Sequence, residues 1–151
     1  MASLHKSLAM LFSQIIGHED IKAKLIQSVK DNRVAHAHLF IGPEGTGKLA
    51  LAIAYAQYIN CTNRGDFDSC GVCPSCKKFN ALAHPDLHFV FPSTTNKNVK
   101  KDPESDLFLS EWRQYLEQCE TYADLSSWFN ALDVENKQGI INVRDASTII
   151  G

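Results

Sequence analysis

The sequence predicts an α/β fold: a phosphate-loop core of parallel strands with flanking helices, carrying an inserted four-cysteine module and a helical insertion. Two observations carry this. First, Gly42-Pro43-Glu44-Gly45-Thr46-Gly47-Lys48 lies between an apolar run, His36 to Ile41, and an apolar helical pattern from Lys48 to about Asn60. Strand, glycine loop and helix form the context a phosphate loop needs. Glycines let successive backbone N–H groups converge on an anion, and the helix N-terminus adds partial positive charge. Second, four cysteines fall between Cys61 and Cys76 at metal-ligand spacing.

The expected phosphate cradle is Gly42, Gly45, Thr46 and Gly47, with Lys48 reaching the outer phosphates. The pattern then calls for Ser or Thr, whose hydroxyl holds Mg²⁺, and this chain has Leu49. The loop is therefore expected to bind ATP or ADP weakly and to be poorly equipped for metal-assisted hydrolysis.

Composition bounds the reading. At 44% hydrophobic and 21% charged residues the chain suits a globular protein with a real core rather than a disordered one. A net charge of -2 gives no whole-chain argument for nucleic-acid binding. The local clusters Lys77-Lys78 and Lys97 with Lys100-Lys101 read as solvated surface. No apolar run approaches the ~18 residues of a membrane span, and the first nine residues lack the apolar stretch of a signal peptide. With a second Met at position 10, residues 1–10 are expected to be a leader or disordered tail. Cysteine use of this kind points to a cytoplasmic protein.

In chain order, Ile21, Leu25, Ile26 and Val29 share one helical face, with Lys22, Lys24, Gln27 and Lys30 pointing away. His36 and His38 alternate on the strand before the loop, and packing or capping is preferred to a metal pair because nothing nearby completes a site. The helix from Lys48 is expected to bury Ala50, Leu51, Ala54, Ala56 and Ile59 against the sheet. After the cysteines, His84-Pro85-Asp86 breaks a short helix, and Leu87 to Phe91 reads as the next strand. The start of the core thus covers 11–92 with the metal module at 61–76, followed by an exposed linker at 93–104.

Two amphipathic helices then form an insertion over 105–138, with Trp112 and Trp128 read as core rather than as base-stacking platforms. Residues 139–151 begin a further unit, in which Ile140-Ile141 is extended, Asn142 caps a last helix and Asp145 lies in its first turn.

Cys61-x8-Cys70-x2-Cys73-x2-Cys76 offers four thiolates to a structural Zn²⁺, and the module has too few apolar residues to hold itself without such a staple. An iron–sulfur cluster, two disulfides or idle thiols are the alternatives. Cys119 stands apart in a predicted helix and reads as an ordinary thiol. No paired nucleophile and base is visible, so no catalytic residue is assigned. No apolar strand after Lys48 ends in the acidic residues that an NTPase uses to hold its metal and water.

Phe12-Ser13-Gln14-Ile15-Ile16-Gly17-His18-Glu19, the His36 to Lys48 segment and the cysteine module directly after the loop helix, in that order, resemble the bacterial DNA polymerase III clamp-loader subunits of the AAA+ class. The resemblance covers about 11–92, with a weaker continuation at 140–150, and implies a truncated AAA+ P-loop NTPase core. Leu49, His84-Pro85-Asp86-Leu87 and Ile140-Ile141-Asn142-Val143 resemble the delta-prime type more than the gamma/tau type.

The delta-prime type implies a non-catalytic, stator-like subunit that supports ATP-dependent loading of the sliding clamp onto primed DNA. Its partners are the other clamp-loader subunits, gamma/tau and delta. That type lends an arginine from a Ser-Arg-Cys motif, which does not occur in these residues. The alternatives are an active gamma/tau-type ATPase and a zinc-stabilised P-loop regulator.

Overall fold

The computed structural model describes residues 11–119, 121–134 and 137–150, the last three by backbone alone. The tail expected at 1–10 lies outside these residues. The chain divides into two compact units, Met1–Leu87 with Glu120–Tyr122 and His88–Cys119 with Ala123–Gly151.

The first unit is built on three helices, α1 (Glu19–Lys30), α2 (Lys48–Asn60) and α3 (Pro74–Asn80), and on a 3₁₀ turn at Phe12–Gln14. Glu19 and Asp20 in the first turn of α1 and Lys30 in its last complement the helix dipole. Leu25 and Ile26 are buried as the periodicity predicts, but Lys22 and Ile21 exchange places. Lys22 is 6% exposed and Ile21 44%. The Lys22 ammonium donates to the Ile15 carbonyl at 2.6 Å and pairs with Glu19 at 2.8 Å, closing the turn that leads into the helix. A hydropathy wheel cannot anticipate a lysine that is buried because a backbone carbonyl receives it.

Helix α2 is apolar on nearly every side, the pattern of a central helix. Ala50, Leu51, Ala54, Tyr55 and Tyr58 join Phe12, Ile15, Leu25 and Ile26 in one core. Its packing partners are α1, α3 and the 3₁₀ turn, where a sheet was expected. Among the described residues no strand forms, so the expected strands at 36–41 and 87–91 are irregular runs without ladders.

The alternation at 38–41 is nevertheless real. Phe40 packs on the core and His38 meets Tyr55 edge-on at 5.1 Å, while Leu39 and Ile41 are each 84% exposed. Period-two patterning gives a segment two sides. Only a paired neighbour makes it a strand, since a ladder needs donors and acceptors from a second chain segment.

The second unit holds α4 (Leu109–Gln118), α5 (Leu125–Ala131) and α6 (Val143–Ile150), with a 3₁₀ turn at Ser105–Phe108. Its centre is aromatic. Phe91 stacks on Trp112 at 4.3 Å, and Trp128 stands edge-on to Trp112 at 4.9 Å. The Trp128 indole N–H donates to the Pro92 carbonyl at 2.8 Å. Both tryptophans are core, as helical spacing predicts, with no ring face open for a base.

Within 93–104, Ser93, Thr94 and Pro103 are buried while Lys97, Lys100 and Lys101 are exposed. Ser93 and Ile140 exchange two 2.9 Å backbone bonds in an isolated antiparallel bridge. Asn142 accepts from the Arg144 amide, and the buried Asp145 carboxylate accepts from the amides of Ser105 and Asn142. Gly139 has no substitute here, because a Cβ would stand 2.3 Å from the Phe129 ring.

Candidate metal centre and phosphate-binding loop

The cysteine loop is fastened before any metal is considered. Asp68 accepts from the amides of Phe12 and Ser13 at 3.0 and 2.9 Å, tying the loop to the N-terminal turn. The Tyr58 hydroxyl donates to the Gly65 carbonyl, and the buried Gln57 amide donates to Ser69 at 2.8 Å. Cys61 ends α2, and Cys73 caps α3 with Pro74 at its first position, where a missing N–H costs nothing.

These anchors bring the four sulfurs within 4.8 Å of one another. Cys61 lies 3.5 Å from Cys70 and 4.0 Å from Cys73, and Cys70 lies 3.9 Å from Cys76. A tetrahedron with Zn–S bonds of about 2.3 Å separates its sulfurs by about 3.8 Å, so the donor set fits one tetrahedral ion. The same spacings exceed the about 2.05 Å of an S–S bond, so the disulfide alternative is not realised. Four sulfurs converging on one point also suit a single ion better than a cluster of several irons.

Backbone amides already point at the sulfurs: Cys70 at Cys61, Cys73 at Cys70 and Cys76 at Cys73, at 3.3 to 3.4 Å. They divide the thiols by acidity. The Cys76 amide, with Thr62, draws the Cys73 thiol down to about 5. Amides of Val72 and Cys73 lower Cys70. Burial pushes Cys61 and Cys76 upward. Cys73 is thus ready as a thiolate, and Cys61 and Cys76 must release a proton to a metal.

At the other end of α2, Gly45 (φ 72°) and Gly47 (φ 76°) adopt the left-handed backbone that glycine permits. Gly42 and Gly45 are exposed, Thr46, Lys48 and Leu49 half-buried, and Gly47 buried. The Lys48 ammonium turns inward to the carbonyls of Gly42, at 2.7 Å, and Pro43. The Thr46 hydroxyl donates to the Pro43 carbonyl at 2.8 Å. No side chain caps α2, whose head carries the amides a helix leaves without intrahelical partners.

Three residues the sequence reading passed over act here: His18, Asp68 and Tyr122. His18 Nε2 donates to the Thr46 carbonyl at 2.7 Å, joining the head of α1 to the loop. Tyr122 lies on Gly47. Neither Asp68 nor Tyr122 is signalled by a motif, since each acts across a long stretch of chain.

A cavity of about 630 Å³ opens between the 3₁₀ turn, α1 and the cysteine loop, lined by Phe12, Ile15 and Phe67 among others, and no residue from Gly42 to Leu49 lines it. Ser75, His84 and Asp86 superficially suggest a nucleophile triad. The Asp86 amide donates to His84 Nδ1, so Nε2 carries the proton and donates to Ser75 at 3.1 Å. That polarity cannot activate a serine. His84 stacked on Phe79 at 4.4 Å instead fastens the end of α3.

One end of α2 thus carries four sulfurs that could hold a metal ion, and the other a glycine-rich loop. The family model described as DNA polymerase III, delta subunit, matches residues 17–149. The chain belongs to this family. It is 41% identical over 68 residues to DNA polymerase III subunit delta' of Bacillus subtilis, 45% of this chain and 20% of that one. It is 39% identical over 66 residues to DNA polymerase III subunit tau/gamma of Haemophilus influenzae, 44% of this chain and 10% of that one. The plant Protein STICHEL of Arabidopsis thaliana is 36% identical over 70 residues, 46% of this chain and 6% of that one. The chain therefore spans a fifth or less of the length of these relatives. No solved structure matches significantly. No helix among the described residues is long and apolar enough to cross a membrane.

Proposed function

We propose that the chain acts as a non-catalytic, stator-like part of a bacterial clamp loader, with Cys61, Cys70, Cys73 and Cys76 holding a structural Zn²⁺. Gly42, Gly45, Thr46, Gly47 and Lys48 retain a weak cradle for ATP or ADP. The observation that carries the reading is Leu49, an aliphatic side chain at the second position of α2, where a hydroxyl is needed to hold Mg²⁺. In this reading its partners are the gamma/tau and delta subunits, and through them the sliding clamp and primed DNA, in the cytoplasm. In this reading the exposed Leu39 and Ile41 are where a sheet neighbour belongs.

The second reading is a working ATPase of the gamma/tau type. It is favoured by a tau/gamma relative at 39% identity, almost level with the delta' relative at 41%. Hydrolysis separates the two. The full chain with its partner subunits is expected to show no Mg²⁺-dependent ATP turnover that Lys48→Ala removes. Turnover lost in that variant overturns the stator reading and establishes the motor.

A further inference from the structure

Gly47 is buried although Gly45 beside it is exposed. What covers it is Tyr122, which belongs to the same compact unit despite lying 75 residues along the chain. The ring atoms Cε1 and Cζ and the hydroxyl stand 3.0, 3.4 and 3.6 Å from where a Gly47 Cβ would be, so the phenol end of the ring rests on the last loop glycine at the head of α2.

Two further features mark this contact. The Tyr122 hydroxyl is buried and has no hydrogen-bond partner among the described residues, an arrangement that costs free energy and calls for a reason. Thr121, which delivers the tyrosine, is buried with φ 67°, a left-handed backbone that a β-branched residue adopts only under constraint. Meanwhile Lys48 is held by the loop's own carbonyls. The loop's carbonyls thus engage Lys48 while Tyr122 lies against its last glycine.

We propose that Tyr122 is an intramolecular latch on the phosphate loop, which must leave Gly47 before the phosphates of a nucleotide can reach the α2 head. This rests on the reading of the loop as a nucleotide cradle. It adds that weak binding comes from a residue of the insertion and not from Leu49 alone. A ligand that binds only the unlatched form has its affinity reduced by the fraction unlatched, so a latch closed ten times more often than open weakens binding about tenfold.

The test is titration of the full chain with ATP and ADP in the presence of Mg²⁺, by calorimetry. Tyr122→Ala is expected to bind about tenfold more tightly than wild type. Tyr122→Phe, which keeps the ring, gains nothing, and Lys48→Ala added to Tyr122→Ala abolishes the gain. Equal affinity of wild type and Tyr122→Ala overturns the latch and leaves the cradle standing. No binding by any form removes the cradle and the latch together. Tight binding that survives loss of Lys48 puts the nucleotide elsewhere and overturns both.

A second measurement needs no destabilising variant. In the full chain labelled with 3-fluorotyrosine, the Tyr122 ¹⁹F resonance, identified by its loss in Tyr122→Phe, moves toward a solvent-exposed shift at saturating ATP. A resonance that stays in place under saturation overturns the latch.

Discussion

At the tail of α2, four sulfurs converge within 4.8 Å, with backbone amides already directed at three of them. At its head, the loop's own cation is turned onto the loop's own carbonyls and an aromatic ring covers the last glycine. One end is organised for an incoming ligand, and the other has satisfied itself. The cause is chemical. Thiol groups compete poorly for hydrogen bonds and can be gathered only by the backbone around them, whereas an ammonium finds carbonyl oxygens wherever a loop offers them. Preorganisation is therefore cheap for the metal centre and opposed at the phosphate loop.

The largest effect that can break this contrast is removal of the metal that the four sulfurs are proposed to hold. Structural Zn²⁺ contributes on the order of 10 kcal/mol to the folding of small zinc modules. Cys76→Ser, or prolonged treatment with a strong chelator, is expected to lower the melting temperature of the first unit by more than any other single change described. Thermal unfolding followed by circular dichroism, with elemental analysis for zinc or iron, measures it. Retention by Cys76→Ser of both metal and wild-type melting would mean the sulfurs do not act as a set.

Acid should reproduce the loss in steps. Burial holds Cys76 and Cys61 above their usual value of 9.0 when metal-free, so at neutral pH metal binding displaces protons from both, and affinity falls as pH falls. Cys73, drawn down to about 5, is the last to take a proton back. A zinc titration at several pH values reads the slope, and a flat profile between pH 6 and 8 would contradict the division of the thiols.

A smaller effect is expected from Asp68→Ala, which leaves the Phe12 and Ser13 amides without their acceptor. The cost is about 1–2 kcal/mol by denaturant unfolding, with the metal retained. Lys48→Ala sits at the bottom of the scale. Its hydrogen bonds are solvent-exposed, so the change in stability should stay within about 0.5 kcal/mol. A loss of 2 kcal/mol or more would make Lys48 a structural residue of the closed loop and weaken its reading as a phosphate ligand.

What the sequence made legible follows the same divide. The helices and the cysteine spacing are local matters: 3.6-residue periodicity and intervals of two residues constrain geometry whatever the rest of the chain does. Trp112 and Trp128 were readable as core because each lies on an apolar helical stripe. Lys22 was misplaced because its burial depends on a carbonyl seven residues earlier, in a turn whose shape periodicity does not encode. The strand runs kept their alternation and lacked ladders, since sidedness is local and pairing is not. His18, Asp68 and Tyr122 lay beyond reach for one reason: each is a single residue that matters through whom it meets.

The Asp68 contact also orders events during synthesis. Its carboxylate and the Phe12 amide it serves are separated by 56 positions in the chain. At translation rates of about 5–20 residues per second, roughly 3–11 seconds pass between the emergence of the two. Both long helices of the first unit are complete by then, since α2 ends at Asn60. The Phe12–Gln14 turn therefore waits for a partner made after the helices it packs against.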